Sequence, residues 1–238
     1  MDRPVLSDRY VFHVHTRRCR HAQEIGDEAF IQKALEAGAD SIWFTDHAPF
    51  PGDPFGHRMG YAELEDYLSS LTELKAGYKD RIAVHIGLET EYFPSYDEAG
   101  YYRQLKDDPR IELLLLGQHM AEDETGGYSF DWEKERLNEE EYTALGNAIC
   151  RGIRSSYFSA VAHPDRSFRR RKTWTAEMAE IAEQIIMTAR EYGLPLEQNE
   201  TSKRHKHQYW EEFWQQAGDR VEILHGLDAH YLDEIYLV

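Results

Sequence analysis

Apolar positions along the chain follow two alternating periods. Short runs rich in Val, Ile, Leu, Phe and Tyr cover Arg9–Val14, Ser41–Thr45, Ile82–Leu88, Glu112–Gly117, Tyr157–Ala162, Leu194–Gln198 and Val221–Leu224, and they have the length and content of strands. Between most of them the spacing changes to that of a helix. Glu28–Ala37 carries Phe30, Ile31, Ala34 and Leu35 on one face and stops at Gly38, a residue suited to a helix C-cap. Tyr61–Tyr78 repeats Leu64, Tyr67, Leu68, Leu71, Leu74 and Tyr78 at helical spacing. Asn138–Arg154 and Thr175–Tyr192 are two more helices, the second opened by a Thr cap. Strands alternating with helices predict parallel βα units, and seven of them predict a closed or nearly closed α/β barrel of the TIM type. No internal repeat, low-complexity segment or linker interrupts the pattern, so residues 1–238 are expected to form a single domain.

The residues that follow the strands carry the chemistry. His13 and His15 end the first strand, with His21 a few positions on, and Asp46-His47 follows the second. Glu89 follows the third, His119 the fourth, His163 the fifth, and Asp228 with His230 the seventh. The C-terminal ends of parallel barrel strands open onto one face, so metal-ligand residue types converge on a single rim. Strand alternation is expected to put His13 and His15 on one side, where both can chelate one ion, and Asp228-Ala229-His230 repeats that geometry. A single histidine after a strand is ordinarily a hydrogen-bonded loop residue, and His57, His85, His205, His207 and His225 are read that way. The joint pattern of the other positions is hard to obtain from a satisfied core. Asp46 is expected to orient a neighbouring imidazole rather than to ligate. Cys19 is expected to pack, because thiolates suit closed structural zinc sites and this donor set is rich in nitrogen and oxygen.

Charge narrows the function. The chain holds 44 Asp and Glu against 27 Lys and Arg, a net charge of −17, which repels polyanions and argues against a nucleic-acid groove. Met1–Tyr10 has no apolar leader-like run, and no stretch approaches the roughly 18 apolar residues of a membrane span. The two cysteines, Cys19 and Cys150, fit a reducing compartment, so a cytoplasmic protein is expected. Two basic clusters break the acidic background: Arg17, Arg18 and Arg20, and Arg166, Arg169, Arg170, Arg171 and Lys172. Most of these read as solvated surface. Arginine forks match phosphate oxygens, however, so Arg166 is the leading candidate for binding an anionic substrate, and Arg204 is another.

His13-Val14-His15, Thr45-Asp46-His47, Gly87-Leu88-Glu89, Gly117-Gln118-His119, Ala162-His163-Pro164-Asp165 and Asp228-Ala229-His230 together resemble the motifs of the PHP (polymerase and histidinol phosphatase) superfamily. Cys19-Arg20-His21-Ala22, Asp46-His47-Ala48-Pro49, Arg58-Met59 and Gly87–Pro94 are most similar to its monofunctional histidinol-phosphate phosphatases. The resemblance runs from about Val11 to His230. It implies a distorted seven-stranded barrel holding three divalent metal ions. His13, His15, Glu89 and Asp228 would hold one ion, and Glu89 would bridge to a second held by His119 and His163. His21, His47 and His230 would hold the third. The donors suit Zn, Fe or Mn. Gln198–Arg204 departs from the small turn expected after the sixth strand, a difference that bears on substrate rather than metals.

Clustered divalent ions would generate a hydroxide nucleophile near neutral pH, with Glu89 and Asp228 holding the catalytic ions. The leaving alcohol would take its proton from a metal-bound water or from Asp165. The expected activity is hydrolysis of a small phosphorylated metabolite, with L-histidinol phosphate, an intermediate of histidine biosynthesis, as the leading substrate. Another phosphoesterase of the same superfamily, or a catalytically silent metal-binding module, are the alternatives. Neither nucleic acid nor membrane is expected as a partner, and oligomeric state has no signature in the sequence.

Overall fold

Seven parallel strands lie side by side in chain order: β1 (Tyr10–Val14), β2 (Ser41–His47), β3 (Ala83–Thr90), β4 (Leu113–Leu116), β5 (Ala160–Val161), β6 (Leu196–Asn199) and β7 (Ile223–Gly226). The structure is a computed structural model, and it describes residues 3–205 and 208–238. The sheet closes on itself at one end. Leu227 N–H donates to Phe12 O (2.9 Å), Ala229 N–H to His13 O (3.0 Å) and His15 N–H to Ala229 O (2.9 Å). The predicted (β/α)7 barrel is therefore present, and the bonds that close it flank four of the candidate ligands.

Helices pack around the outside: α1 (Asp27–Glu36), α2 (Leu64–Tyr78), α5 (Lys134–Ser155) and α6 (Ala176–Tyr192) match the helical periodicities of the sequence within a few residues. Thr175 caps α6 as expected, its side chain accepting from Met178 N–H. Four short helices were not expected: α3 (Pro94–Glu98), α4 (Tyr101–Asp107), α7 (Glu200–Arg204) and α8 (Glu211–Ala217). Each is too short to display an apolar period. Tyr157–Ala162 supplies only the two-residue β5, and the bounds of the other strands lie within two residues of those predicted.

Strand alternation divides the core. Outward positions such as Ile42, Phe44, Leu114, Leu116 and Val161 join the helices in one large apolar cluster. Inward positions Phe12, Trp43, Leu113, Leu115, Ala160, Ala162 and Leu224 plug the inside of the barrel. The same inward rows continue toward the closed end as His47, Glu89 and Glu197.

At the N-terminal end of the strands one buried polar group is satisfied by three donors. Glu112 accepts from Lys75 Nζ (2.8 Å), Ile86 N–H (3.0 Å) and His85 Nδ1 (3.0 Å), and the His85 ring stacks on Trp43 at 3.9 Å. Partial burial pushes the Glu112 carboxyl upward, but the bonds from His85, Lys75 and Ile86 outweigh it and hold it at about 2, below the usual 4.5. A carboxyl depressed by folding stabilises the fold above its unfolded pKa, and that contribution is lost as pH falls through the folded value. Glu112→Gln is therefore expected to lower the melting temperature at pH 7, with the gap to wild type closing between about pH 4.5 and about pH 2. A gap that stays constant across this window would show that the charge contributes nothing.

Candidate metal centre

Glu89 sits at the end of β3 with no solvent exposure, and five imidazoles surround its carboxylate. Oε2 faces His13 Nε2 (3.3 Å), His15 Nε2 (3.5 Å) and His47 Nδ1 (3.0 Å). Oε1 faces His163 Nε2 (2.9 Å) and His119 Nε2 (3.5 Å). Asp228 lies beside the first group, its Oδ1 at 3.1 Å from His15 Nε2 and 3.6 Å from His13 Nε2. His230 stacks on His15 at 4.3 Å between ring centroids, and His21 approaches His230 at 4.6 Å and His47 at 5.4 Å. All nine candidate ligands thus form one contiguous cluster, buried at His13, His15 and Glu89 and open at His21.

Local backbone departs from regular geometry to build it. His13 has φ +68°, and the β1–β2 register slips between Val11 and Val14. Simple alternation, expected to align His13 with His15, would point Phe12 and His13 to opposite faces. The left-handed residue shifts the phase instead, so that Phe12, His13 and His15 all face inward while Val14 packs outside. His163 (φ 29°) and Asp228 (φ 52°) also lie in the left-handed region, which costs energy for residues with a Cβ and is found where function demands it. Gly117 and Gly226 make room for carboxylates: a Cβ at Gly117 would overlap Glu89, and one at Gly226 would overlap Glu197.

Hydrogen bonds fix which ring nitrogens point inward. A carbonyl oxygen only accepts, so His21 Nδ1–H donates to Cys19 O (2.7 Å) and His230 Nδ1–H donates to Asp228 O (3.0 Å). Their Nε2 lone pairs consequently face each other at 2.9 Å, an arrangement that a shared cation relieves. His13 Nδ1 donates to Glu197 Oε1 (2.7 Å) and His119 Nδ1 to Glu91 Oε1 (3.2 Å), again turning Nε2 toward Glu89. Among the described residues, His13 Nε2, both nitrogens of His15 and Glu89 Oε2 are buried with no hydrogen-bond partner. Polar atoms buried this way are costly unless something else satisfies them. Burial holds His47 and His163 at about 4 and His15 well below the usual imidazole range, so these rings are neutral and their lone pairs free near pH 7. Burial opposes ionisation of Glu89 and Asp228, yet the surrounding cations and imidazoles keep both well below the ordinary carboxylate range. Subsets such as His13, His15 and Asp228, or His21, His47 and His230, bring one donor atom each within 4.8 Å of one another. This donor set fits divalent cations.

The remaining candidates occupy varied settings. Asp46 lies not against its neighbour His47 but beside the candidate ligand His15, its Oδ1 4.0 Å from Nδ1. Its carboxylate accepts from Thr16 N–H (2.8 Å) and Thr16 Oγ1 (2.7 Å), pinning the loop that carries His21. Asp165 is buried and its Oδ2 accepts from Trp210 N–H and the Trp214 indole (both 3.0 Å), which ties it to the α8 segment. Arg18 and Arg169 are not solvated surface: Arg18 pairs with Asp27 and Asp66, and Arg169 pairs with buried Glu141, which the exposed Arg170 also reaches. Arg166 does reach the cluster, with Nη2 at 2.9 Å from Asp228 Oδ2 and 3.1 Å from Asn199 Oδ1. Arg204 is more exposed and pairs with Glu234 at 3.3 Å, the residue that also accepts from His230 N–H. Cys19 is buried near His15 and His230, and burial followed by the Asp46 charge pushes its thiol up to about 12, so it stays protonated. His57 is exposed beside His21, and His225 lies within β7; His207 lies outside the described residues. Glu197, Glu91 and Arg58 were missed. The signal for Glu197 was a carboxylate inside a strand-like run, two positions before Asn199 on the same inward face.

A carboxylate facing two sets of imidazoles at the C-terminal mouth of a parallel (β/α)7 barrel is a donor arrangement suited to divalent cations. Residues 12–201 match the PHP domain family, and the chain belongs to that family. It is 26% identical over 133 residues to the histidinol-phosphatase of Bacillus subtilis, covering 53% of this chain and 50% of that one. It is 33% identical over 163 residues to a Deinococcus radiodurans protein named "Probable histidinol-phosphatase", covering 64% of this chain and 59% of the relative. The chain thus spans about half to three-fifths of the curated relatives it matches. A Listeria monocytogenes structure assigned as a histidinol phosphatase superposes with a TM-score of 0.73 at 18% identity, over 95% of this chain and 97% of that one. The Lactococcus lactis histidinol phosphate phosphatase, solved with zinc, L-histidinol and phosphate, gives 0.70 at 18% identity, over 94% and 87%. Both establish the shared fold.

Two substitutions test the cluster. Gly117→Ala is expected to displace Glu89 and strip metal from purified protein, with apo stability reduced by only about 1–3 kcal/mol, the usual cost of overpacking. Glu89→Gln should lose more metal by elemental analysis than His21→Ala. Equal, small losses would show that Glu89 does not serve two ions.

Proposed function

We propose that this chain is a metal-dependent phosphomonoesterase whose substrate is L-histidinol phosphate, acting in histidine biosynthesis in the cytoplasm. The observation that carries the chemistry is the Glu89 carboxylate, each of whose oxygens faces a separate set of imidazoles, with the Arg166 guanidinium alongside. The names of the curated relatives and the L-histidinol and phosphate in the Lactococcus lactis structure support the substrate. Among the described residues no helix is long and apolar enough to cross a membrane.

His13, His15, Glu89 and Asp228 would hold one cation, Glu89 with His119 and His163 a second, and His21, His47 and His230 a third, with Zn, Fe or Mn as the metals the donors suit. Such ions supply an activated water at neutral pH and offset charge on a phosphoryl group. The protein's own residues do the rest. Arg166 is held by Ser202 (Nε 3.1 Å, Nη2 2.8 Å), Asn199 and Asp228, so its guanidinium is fixed before substrate arrives. Its Nη1 is the donor left to meet a phosphoryl oxygen. The acidic surroundings favour a cationic amine on the leaving group and disfavour polyanions.

Phosphate release by metal-reconstituted protein, measured with histidinol phosphate beside a nucleotide panel, is the direct test. Histidinol phosphate is expected to give the highest kcat/KM, and a nucleotide turned over faster would replace the substrate while keeping the chemistry. Arg166→Ala should lower kcat/KM about ten- to a hundredfold with metal content unchanged, because charge-assisted hydrogen bonds contribute roughly 1.5–3 kcal/mol. A change under about twofold would remove Arg166 from substrate binding.

A further inference from the structure

His119 is the most exposed of the five imidazoles facing Glu89. It follows β4 in a loop, and a quarter of its side chain is exposed. Its carbonyl is held by Arg169 Nη2 at 2.9 Å, but the ring has one fixed partner, Glu91 Oε1, at 3.2 Å from Nδ1. Glu91 is itself almost fully buried and forked by Arg58, whose Nη1 and Nη2 each lie 3.0 Å from a carboxylate oxygen. Arg58 is buried too; it donates to Ala48 O (3.0 Å), and its guanidinium sits 5.4 and 5.3 Å from the Phe50 and Phe55 ring centroids. The backbone around Glu91 is clamped as well, with Tyr102 Oη donating to Glu91 O (2.9 Å) and accepting from Phe93 N–H (2.8 Å).

A buried Arg–Glu pair is a poor way to stabilise a fold, because desolvation cancels much of the attraction and apolar residues of the same volume do as well or better. The pair here lies between loops following β2, β3 and β4 and ends on a candidate ligand.

We propose that Glu91, paired to Arg58, is a positioning residue for His119: it accepts the hydrogen bond from Nδ1–H, turns Nε2 toward Glu89 and sets the affinity of the ion shared by His119, His163 and Glu89. The inference rests on the metal reading above. It gives the buried Arg58 a use beyond packing, since Arg58 orients the carboxylate that orients the histidine.

The experiment titrates apo protein with zinc against a chromophoric chelator, alongside apo melting temperatures, for wild type, Glu91→Gln, Glu91→Asp, Arg58→Met and the double variant Glu91→Gln/Arg58→Met. Glu91→Gln is expected to weaken one class of zinc site about ten- to a hundredfold while the others keep wild-type affinity. Arg58→Met leaves a buried carboxylate unpaired and should melt lowest; the double variant should regain melting temperature without regaining the zinc site. In a His119→Ala background Glu91→Gln should cost no further zinc. Should Glu91→Gln fail to fold, Glu91→Asp, which keeps the charge but shortens its reach, must still weaken that one site. Wild-type affinity in the Glu variants, or zinc affinity that merely follows melting temperature across the set, would overturn the proposal. Wild type taking up no zinc would instead overturn the metal reading.

Discussion

The structure is organised around a buried carboxylate encircled by imidazoles. Burying the Glu89 charge without compensation would cost several kcal/mol, and the imidazoles around it oppose that cost, holding its carboxyl well below the ordinary range. The features that depart from an ordinary barrel all serve that one placement. Gly117 leaves the space, the three closing bonds between β1 and the β7 end bring His13, His15, Asp228 and His230 to it, and left-handed residues at His13, His163 and Asp228 aim the side chains. Such concentrated strain and unsatisfied polarity is what a protein tolerates when a cation completes the site.

Around this centre lies a set of acceptors that decide which nitrogen each histidine presents. Glu197 serves His13, Glu91 serves His119, and the carbonyls of Cys19 and Asp228 serve His21 and His230. Asp46 and Arg18 act one step further out, holding the loop between β1 and α1 on which His21 sits. The arrangement explains why charged residues are buried in unusual number at one end of the barrel while the other end is filled by Phe12, Trp43 and leucines.

Much of this was legible in the sequence, for identifiable reasons. Seven strand-like runs, each ending in a ligand-type or polar residue, have few solutions other than a parallel barrel, and periodicity located the four long helices. What escaped was short or non-local. Helices of five to seven residues show no period, and the phase shift at His13 is set by closure against Ala229, a residue more than two hundred positions away. Which imidazole Asp46 adjoins was hidden as well: a strand sends neighbours to opposite faces, so it lies by His15 rather than by His47. The partners of Asp165 Oδ2, Trp210 and Trp214, lie far along the chain and leave no local pattern. Glu91 and Glu197 become visible only once the barrel brings them behind His119 and His13.

The central claim is that Glu89 is shared between two ions. Anomalous diffraction from crystals grown with zinc, recorded on both sides of the zinc absorption edge, measures this directly. The account predicts two peaks flanking the Glu89 carboxylate, one against each oxygen, with a further peak beside His21, His47 and His230. A single peak bound through only one oxygen of Glu89, with the other oxygen still facing bare imidazoles, would contradict it.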